Sequence, residues 1–250
     1  MIKTVIVIPA RMHSTRLPEK ALADIAGKSL IQRVYEQALR CACARDVIVA
    51  TDHALIFSHI QELGYNVVMT SPDHSSGTER VAEAAAGIEA DVIINVQGDE
   101  PLIDPAQIDD LARVFEDEKV CIATQMSIIK QEADVFDYSK VKVVTDIHHR
   151  ALYFSRQAIP AHRDLPYRDW PSHSAYFKHV GLYAFRKKTL LEITKLPVGL
   201  LEKAESLEQL RWLENGYTVH CYPTEHESIG VDTPEDLEKV RTVFRMMHDL

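Results

Sequence analysis

The sequence predicts an α/β fold: a mainly parallel sheet with helices on both faces. Short β-rich runs alternate with helical patterns through the first half of the chain, as consecutive βαβ units would. The runs TVIVI, DVIVAT and DVIINV are apolar throughout rather than at alternate positions, the mark of strands covered on both sides. After about residue 120 the β-rich runs crowd together, which predicts a smaller antiparallel or mixed subregion.

Taken in order, residues 4–8 read as the first strand. The apolar run before Arg11 is short and lacks a cleavage-like tail, so it is a buried strand rather than a signal peptide. Residues 29–40 (SLIQRVYEQALR) form an amphipathic helix, 46–51 a strand and 54–63 a helix. A strand over 66–70, a helix over 78–88, a strand over 91–96 and a helix over 105–117 complete the alternation. Strands follow at 120–126, 140–146, 151–156 and 179–186, with an aperiodic loop at 160–178 rich in Pro, His and Arg. ESLEQLRWLENG reads as a helix over 205–216 that ends at Gly216. Residues 217–223 read as a strand, and Pro234 opens the last helix at its first position.

The 250 residues suit one large domain. With 46% hydrophobic, 7% aromatic and 26% charged residues, a disordered or fibrous chain is excluded. The net charge of −9 argues against a global pull on nucleic acid or an anionic membrane, so an anionic ligand needs a local cluster of cations. No run reaches the ~20 apolar residues of a membrane span. Cys41, Cys43, Cys121 and Cys221 form no C-x-x-C pair, which predicts reduced thiols and a cytoplasmic protein.

Four loops carry candidate chemistry. The first, after strand one, holds Pro9, Ala10 and Arg11, then TRLPEK over 15–20 with Arg16 and Lys20. Three cations thus stand at the carboxyl end of a strand, where open α/β sheets bind ligands. Arg can grip phosphate bidentately and Lys supplies a point charge. The second, Asn95–Pro101 (NVQGDEP), offers Gln97 for the edge of a base and Gly98 for close backbone approach. Its Asp99 is a hard oxygen ligand of the kind magnesium takes. The third is GVDTP, in which Asp232 is either a helix cap or a second acid beside Asp99. The fourth, Asp73–Arg80, opens a helix with Ser76, Gly77 and Thr78, and suits an anion or a ribose. Gly27-Lys28-Ser29 is a decoy, since Leu22 stands where a P-loop needs its first Gly, and no G-x-G-x-x-G occurs. The 12 histidines show no H-E-x-x-H, and no G-x-S-x-G marks a serine nucleophile.

The order PAR, TRLPEK, ATD, SGTER, NVQGDEP, VKVV, ALYFSR, KHVGLYAFR, ESLEQLR and GVDTPEDLEKV, from about Val5 to Arg241, resembles the 3-deoxy-D-manno-octulosonate (KDO) cytidylyltransferase family. The resemblance implies a three-layer α/β/α sandwich of the nucleotide-diphospho-sugar transferase type, with a mainly parallel mixed sheet. Residues 1–120 would form a nucleotide-binding half and 121–250 a sugar-binding and dimerisation half of one domain. The implied reaction is CTP + KDO → CMP-KDO + pyrophosphate with Mg²⁺, in the cytoplasm, by a homodimer serving lipopolysaccharide assembly. By motif, Arg11, Arg16 and Lys20 would hold the triphosphate, with Pro9, Ala10 and Thr51 beside the nucleotide. Asp73, Ser76, Gly77, Arg80 and Gln97 would hold cytosine and ribose. Asp99 and Asp232 would bind Mg²⁺ and, with Arg11 and Lys20, carry catalysis. Arg156, His179, Tyr183, Glu208 and Gln209 would line the sugar-acid pocket. One departure stands out: many relatives have Gly-Lys-Pro where this chain has Glu19-Lys20-Ala21.

The competing readings are CMP transfer to another sugar acid (8-amino-KDO or a nonulosonate) and a non-catalytic nucleotide-binding module on the same fold. A nicotinamide oxidoreductase is disfavoured by the missing glycine fingerprint.

Overall fold

In the computed structural model, which describes residues 2–12, 14 and 16–248, the chain alternates between strands and helices. Eleven strands are described: β1 Thr4–Ala10, β2 Asp24–Ile25, β3 Lys28–Ser29, β4 Ala44–Thr51, β5 Val67–Met69, β6 Val92–Asn95, β7 Ile122–Ile128, β8 Lys142–Thr145, β9 Ala151–Ser155, β10 Phe177–Arg186 and β11 Val219–Pro223. The α-helices are α1 Leu30–Ala38, α2 Ala54–Glu62, α3 Gly77–Ala86, α4 Pro105–Arg113, α5 Glu132–Val135, α6 Lys187–Ile193, α7 Leu200–Glu205, α8 Gln209–Glu214 and α9 Pro234–His248.

The main sheet runs β11-β7-β10-β6-β1-β4-β5, with β8 attached to β10 and β9 to β8. β1 pairs in parallel with β4 and β6, and β4 with β5. β10 is antiparallel to both β6 and β7, so two reversals restore the direction and β7 and β11 run the same way as β1. The carboxyl ends of β1, β4, β6 and β11 therefore open on one edge, and the loops that follow them meet there. The β8–β9 hairpin supplies the antiparallel subregion, and β2–β3 forms a separate two-stranded ribbon.

β1 shows why its sequence is apolar throughout. Ile6 and Ile8 pack in one core with α1, α4 and α9, while Val5 and Val7 pack in another with α3, α6 and α8. All four are fully buried, and each contributes roughly 1.5–3 kcal/mol by leaving water. The helices start where polar side chains satisfy their free N–H groups: the Ser29 hydroxyl accepts from Gln32 N and the Ser76 hydroxyl from Glu79 N.

Most boundaries shift by a residue or two, and three differ more from the sequence reading. The helix expected over 205–216 is shorter, α8 over Gln209–Glu214, and is preceded by a separate helix, α7, that ends at Glu205, after which Ser206 turns left-handed at φ 53°. The buried Leu207 occupies the break, so packing overrides helical periodicity there. The helix expected over 105–117 ends at Arg113 and tightens into a 3₁₀ turn over Val114–Glu116. The loop expected over 160–178 contains a 3₁₀ turn at Tyr167–Ser172 and yields to β10 at Phe177. Among the described residues, no helix is long and apolar enough to cross a membrane.

Candidate active site

The basic loop leaves β1 and returns under the sheet edge through a 3₁₀ turn at Lys20–Leu22. Glu19 enters that turn in the left-handed region, at φ 55°. A side chain there costs about 1–2 kcal/mol that Gly avoids. Glu19 itself is exposed. Thr15, part of the same motif, lies outside the described residues.

Lys20 brings the two acids together. Its Nζ donates to Asp99 Oδ2 at 2.7 Å and to Asp232 Oδ1 at 3.1 Å. Two oxygens bound to one nitrogen at these distances lie within about 6 Å of each other. Arg16 Nη2 reaches the other oxygen of Asp232 at 3.1 Å. Asp99 arrives from the turn after β6 and Asp232 from the segment between β11 and α9. Arg11 is exposed and makes no ion pair with any described residue, which leaves its guanidinium available.

Beside this cluster lies a cavity of about 330 Å³. Pro9, Ala10, Arg11, Arg16 and Lys20 line it from the β1 loop, Gly77 and Arg80 from the start of α3, and Gln97 and Asp99 from the β6 turn. Ser14, Ala21 and Gly98 also line it; Ser14 and Ala21 carry no charge or motif signal that would have singled them out. Gly98 is required by close approach, because a Cβ there would stand 2.6 Å from the Pro9 carbonyl oxygen. Gln97 Nε2 reaches Asn95 Oδ1 at only 3.4 Å, leaving the amide free to face a ligand.

Arg80, although in the lining, is committed elsewhere. It is 1% exposed, and its guanidinium binds Asp52 Oδ2 at 2.6 Å and the Thr70 hydroxyl. Thr51 is fully buried at the end of β4, where its hydroxyl accepts from His53 N. Asp73 is exposed and exchanges hydrogen bonds with Ser71 outside the cavity.

The residues expected to line a sugar pocket do not converge on this cavity. Ser76 and Thr78 donate their hydroxyls to the two oxygens of Glu208, at 2.8 and 2.6 Å. Glu208 therefore ties the start of α3 to the start of α8. Burial pushes its carboxyl above the usual range, and the two hydroxyls oppose that. The Arg156 guanidinium binds three backbone carbonyls, of Glu205, Tyr138 and Ser206, at 2.7, 3.1 and 3.3 Å. Gln209 is buried at the first turn of α8. His179 Nε2 lies 3.1 Å from the Thr124 hydroxyl, and burial lowers its pKa to about 4, so the ring is neutral at pH 7. Tyr183 stacks on Phe185 with its hydroxyl buried near Thr124, and burial raises its pKa. His179 borders a second cavity of about 240 Å³, with Glu100, Lys178 and Ser228 in its wall.

The arrangement can hold a polyphosphate beside paired carboxylates. Among the described residues no three His, Cys, Asp or Glu converge as a ready metal cage. Two carboxylates with room for phosphate and water are nevertheless the donor set magnesium uses in nucleotide sites.

Comparison with known proteins agrees. A cytidylyltransferase family model matches residues 5–229. The 3-deoxy-manno-octulosonate cytidylyltransferase of Geobacter sulfurreducens is 50% identical over 241 residues, covering 94% of this chain and 96% of its own. That of Solibacter usitatus is 48% identical, covering 96% and 93%. A solved CMP:2-keto-3-deoxy-manno-octonic acid synthetase complexed with CTP superposes with a TM-score of 0.91 at 42% identity, over 98% of this chain and 99% of that one. The chain belongs to the cytidylyltransferase family and, within it, to the 3-deoxy-manno-octulosonate cytidylyltransferases.

Proposed function

We propose that the protein transfers CMP from CTP to the anomeric hydroxyl of KDO, releasing pyrophosphate, with Mg²⁺ as its cofactor. The observation that carries the reading is the Lys20 ammonium held between Asp99 and Asp232 beside a cavity that Lys20, Asp99 and Gln97 line. The names and the CTP complex of the similar proteins support the substrates.

The hydroxyl oxygen forms a bond to the α-phosphorus as the bond to the β-phosphate oxygen breaks, in line, and the hydroxyl proton passes to solvent. The protein's task in such a transfer is positioning and charge stabilisation. Arg11, Arg16 and Lys20 neutralise the triphosphate and then the departing pyrophosphate. Gln97 presents an amide that can donate to and accept from the cytosine edge. Asp99 and Asp232 would hold the magnesium ion, which supplies Lewis-acid polarisation of the phosphoryl oxygens. The neutral ring of His179 beside the second cavity can hydrogen-bond a sugar hydroxyl without adding charge.

The reading extends to a cytoplasmic homodimer that feeds lipopolysaccharide assembly. Ile147 and Leu152 on the β8–β9 hairpin are 91% and 62% exposed, apolar surface of the kind a second copy covers.

Pyrophosphate release tests the reading, measured with Mg²⁺, each of the four nucleoside triphosphates and a panel of sugar acids. CTP with KDO should exceed every other pair by at least about 10²-fold, well inside the roughly 10⁴–10⁵ that a site hydrogen-bonding its substrate can deliver. A nonulosonate or 8-amino-KDO turned over faster than KDO would shift the substrate. CTP binding with no pyrophosphate from any acid would make the chain a binding module.

A further inference from the structure

The two acids stand on segments that share no secondary structure. Asp99 rides the turn after β6, and Asp232 ends a stretch, residues 224–232, with neither helix nor strand. Irregular chain of this kind opens at little cost unless specific bonds hold it. Two hydrogen bonds run directly between the segments close to the acids, and farther from them His226 Nδ1 lies 3.1 Å from Asp104 Oδ2. Val231 N donates to the Asp99 carbonyl oxygen at 2.8 Å, and the buried Val231 side chain anchors that end in the core. The Ser228 hydroxyl donates to Glu100 Oε2 at 2.6 Å. The second bond joins side chains next to each acid's own segment: Glu100 directly follows Asp99, and Ser228 lies four residues before Asp232.

We infer that Glu100 and Ser228 form a clasp that sets the spacing of Asp99 and Asp232, which makes Glu100 a positioning residue for nucleotidyl transfer. The inference rests on the reading of those two acids as the magnesium ligands. A short hydrogen bond from a hydroxyl to a carboxyl oxygen in a buried setting is directional and strengthened by the low local dielectric. Magnesium tolerates little departure from octahedral geometry, so slack between its two carboxylates is felt as lost affinity. Groups that orient metal ligands typically contribute 10–100-fold to metal binding. The backbone bond at Val231 fixes one point of contact, and the flexible Lys20 side chain bridges the carboxylates themselves. The clasp adds a point of contact beside the acids that does not depend on where Lys20 goes when a triphosphate binds.

Calorimetric titration with CTP in the absence of sugar acid tests this without turnover. Each protein is measured in Mg²⁺ and in EDTA, and the ratio of the two affinities is the magnesium-dependent gain. In Ser228→Ala and Glu100→Leu the gain should fall about tenfold, with CTP affinity in EDTA unchanged. Glu100→Gln keeps an acceptor oxygen for the Ser228 hydroxyl and should stay within about threefold of the native gain. The clasp is overturned if Ser228→Ala and Glu100→Leu keep the full gain, or if CTP affinity falls equally in EDTA, as a merely disordered loop would give. A Gln variant as weak as the Leu variant would also overturn it, since charge and not the bond would then matter. Asp99→Asn separates the two levels. If it loses the gain while the clasp variants keep it, only the clasp fails; if it keeps the gain, the metal reading fails and takes the clasp with it.

Discussion

Gly98→Ala probes how tightly the nucleotide loops are packed against one another. An alanine Cβ at this position would lie 2.6 Å from the Pro9 carbonyl oxygen, 3.4 Å from Ile31 Cδ1 and 3.6 Å from Ile8 Cγ2. The close contact is to backbone, which cannot swing aside as a flexible side chain could. A carbon–oxygen contact settles near 3.3 Å, so the two strand ends must part by roughly 0.7 Å. Overpacking of this kind costs about 1–3 kcal/mol. In a chain of this size each kcal/mol moves Tm by about 2–4 °C, so the variant should melt roughly 2–12 °C below the native protein. The next residue is Asp99, which has to move with the turn. Misplacing a reacting group by an ångström costs on the order of 10² in rate, and kcat for pyrophosphate release should fall about 10–10²-fold. Differential scanning calorimetry and a coupled pyrophosphate assay read the two effects separately. A variant with native Tm and native kcat would refute the claim that Gly98 is there for close approach.

Other substitutions follow from the same geometry. Glu19→Gly relieves a left-handed side chain, offset partly by the entropy of glycine, and should raise stability by about 0.5–1 kcal/mol in denaturant melts. Arg156→Ala leaves three backbone carbonyls without their donor and should lower Tm by several degrees; an unaltered Tm with only a raised KM for KDO would return Arg156 to the sugar pocket. His179 has its pKa depressed by burial to about 4, below the ~6.5 of an unfolded histidine. The unfolded state therefore binds the extra proton between these values, and this contribution to stability is full above about pH 6.5 and lost as pH falls toward 4. His179→Gln should flatten that part of the stability profile measured by urea melts at several pH values.

The first half of the fold was legible because its strands are buried on both faces and its helices on one, so composition and period both speak. Ile6, Ile8, Val5 and Val7 divide between two cores, and that division is written as an unbroken apolar run. The insertion of β10 antiparallel between β6 and β7 has no local signature, because strand neighbours are chosen by tertiary packing. The break at Ser206 was hidden for a related reason: the buried Leu207 sets it, while the surrounding sequence favours a helix. In the site, the basic loop and the β6 turn were visible as clustered charge at strand ends, and Lys20 joins Asp99 and Asp232 across 79 and 212 residues. Pairings that commit a side chain to a distant partner left no trace in the sequence. Arg80, expected from SGTER beside cytosine and ribose, is held by Asp52, and Glu208 is held by Ser76 and Thr78 from 132 and 130 residues away.

The central claim, that Asp99 and Asp232 act together on a magnesium-loaded triphosphate, meets its most direct test in pyrophosphate release by Asp99→Asn. Loss of such a charge-stabilising group should lower kcat by about 10²–10³ while the melting temperature stays native. Near-native release by a folded Asp99→Asn protein, at the same magnesium concentration, would contradict the claim.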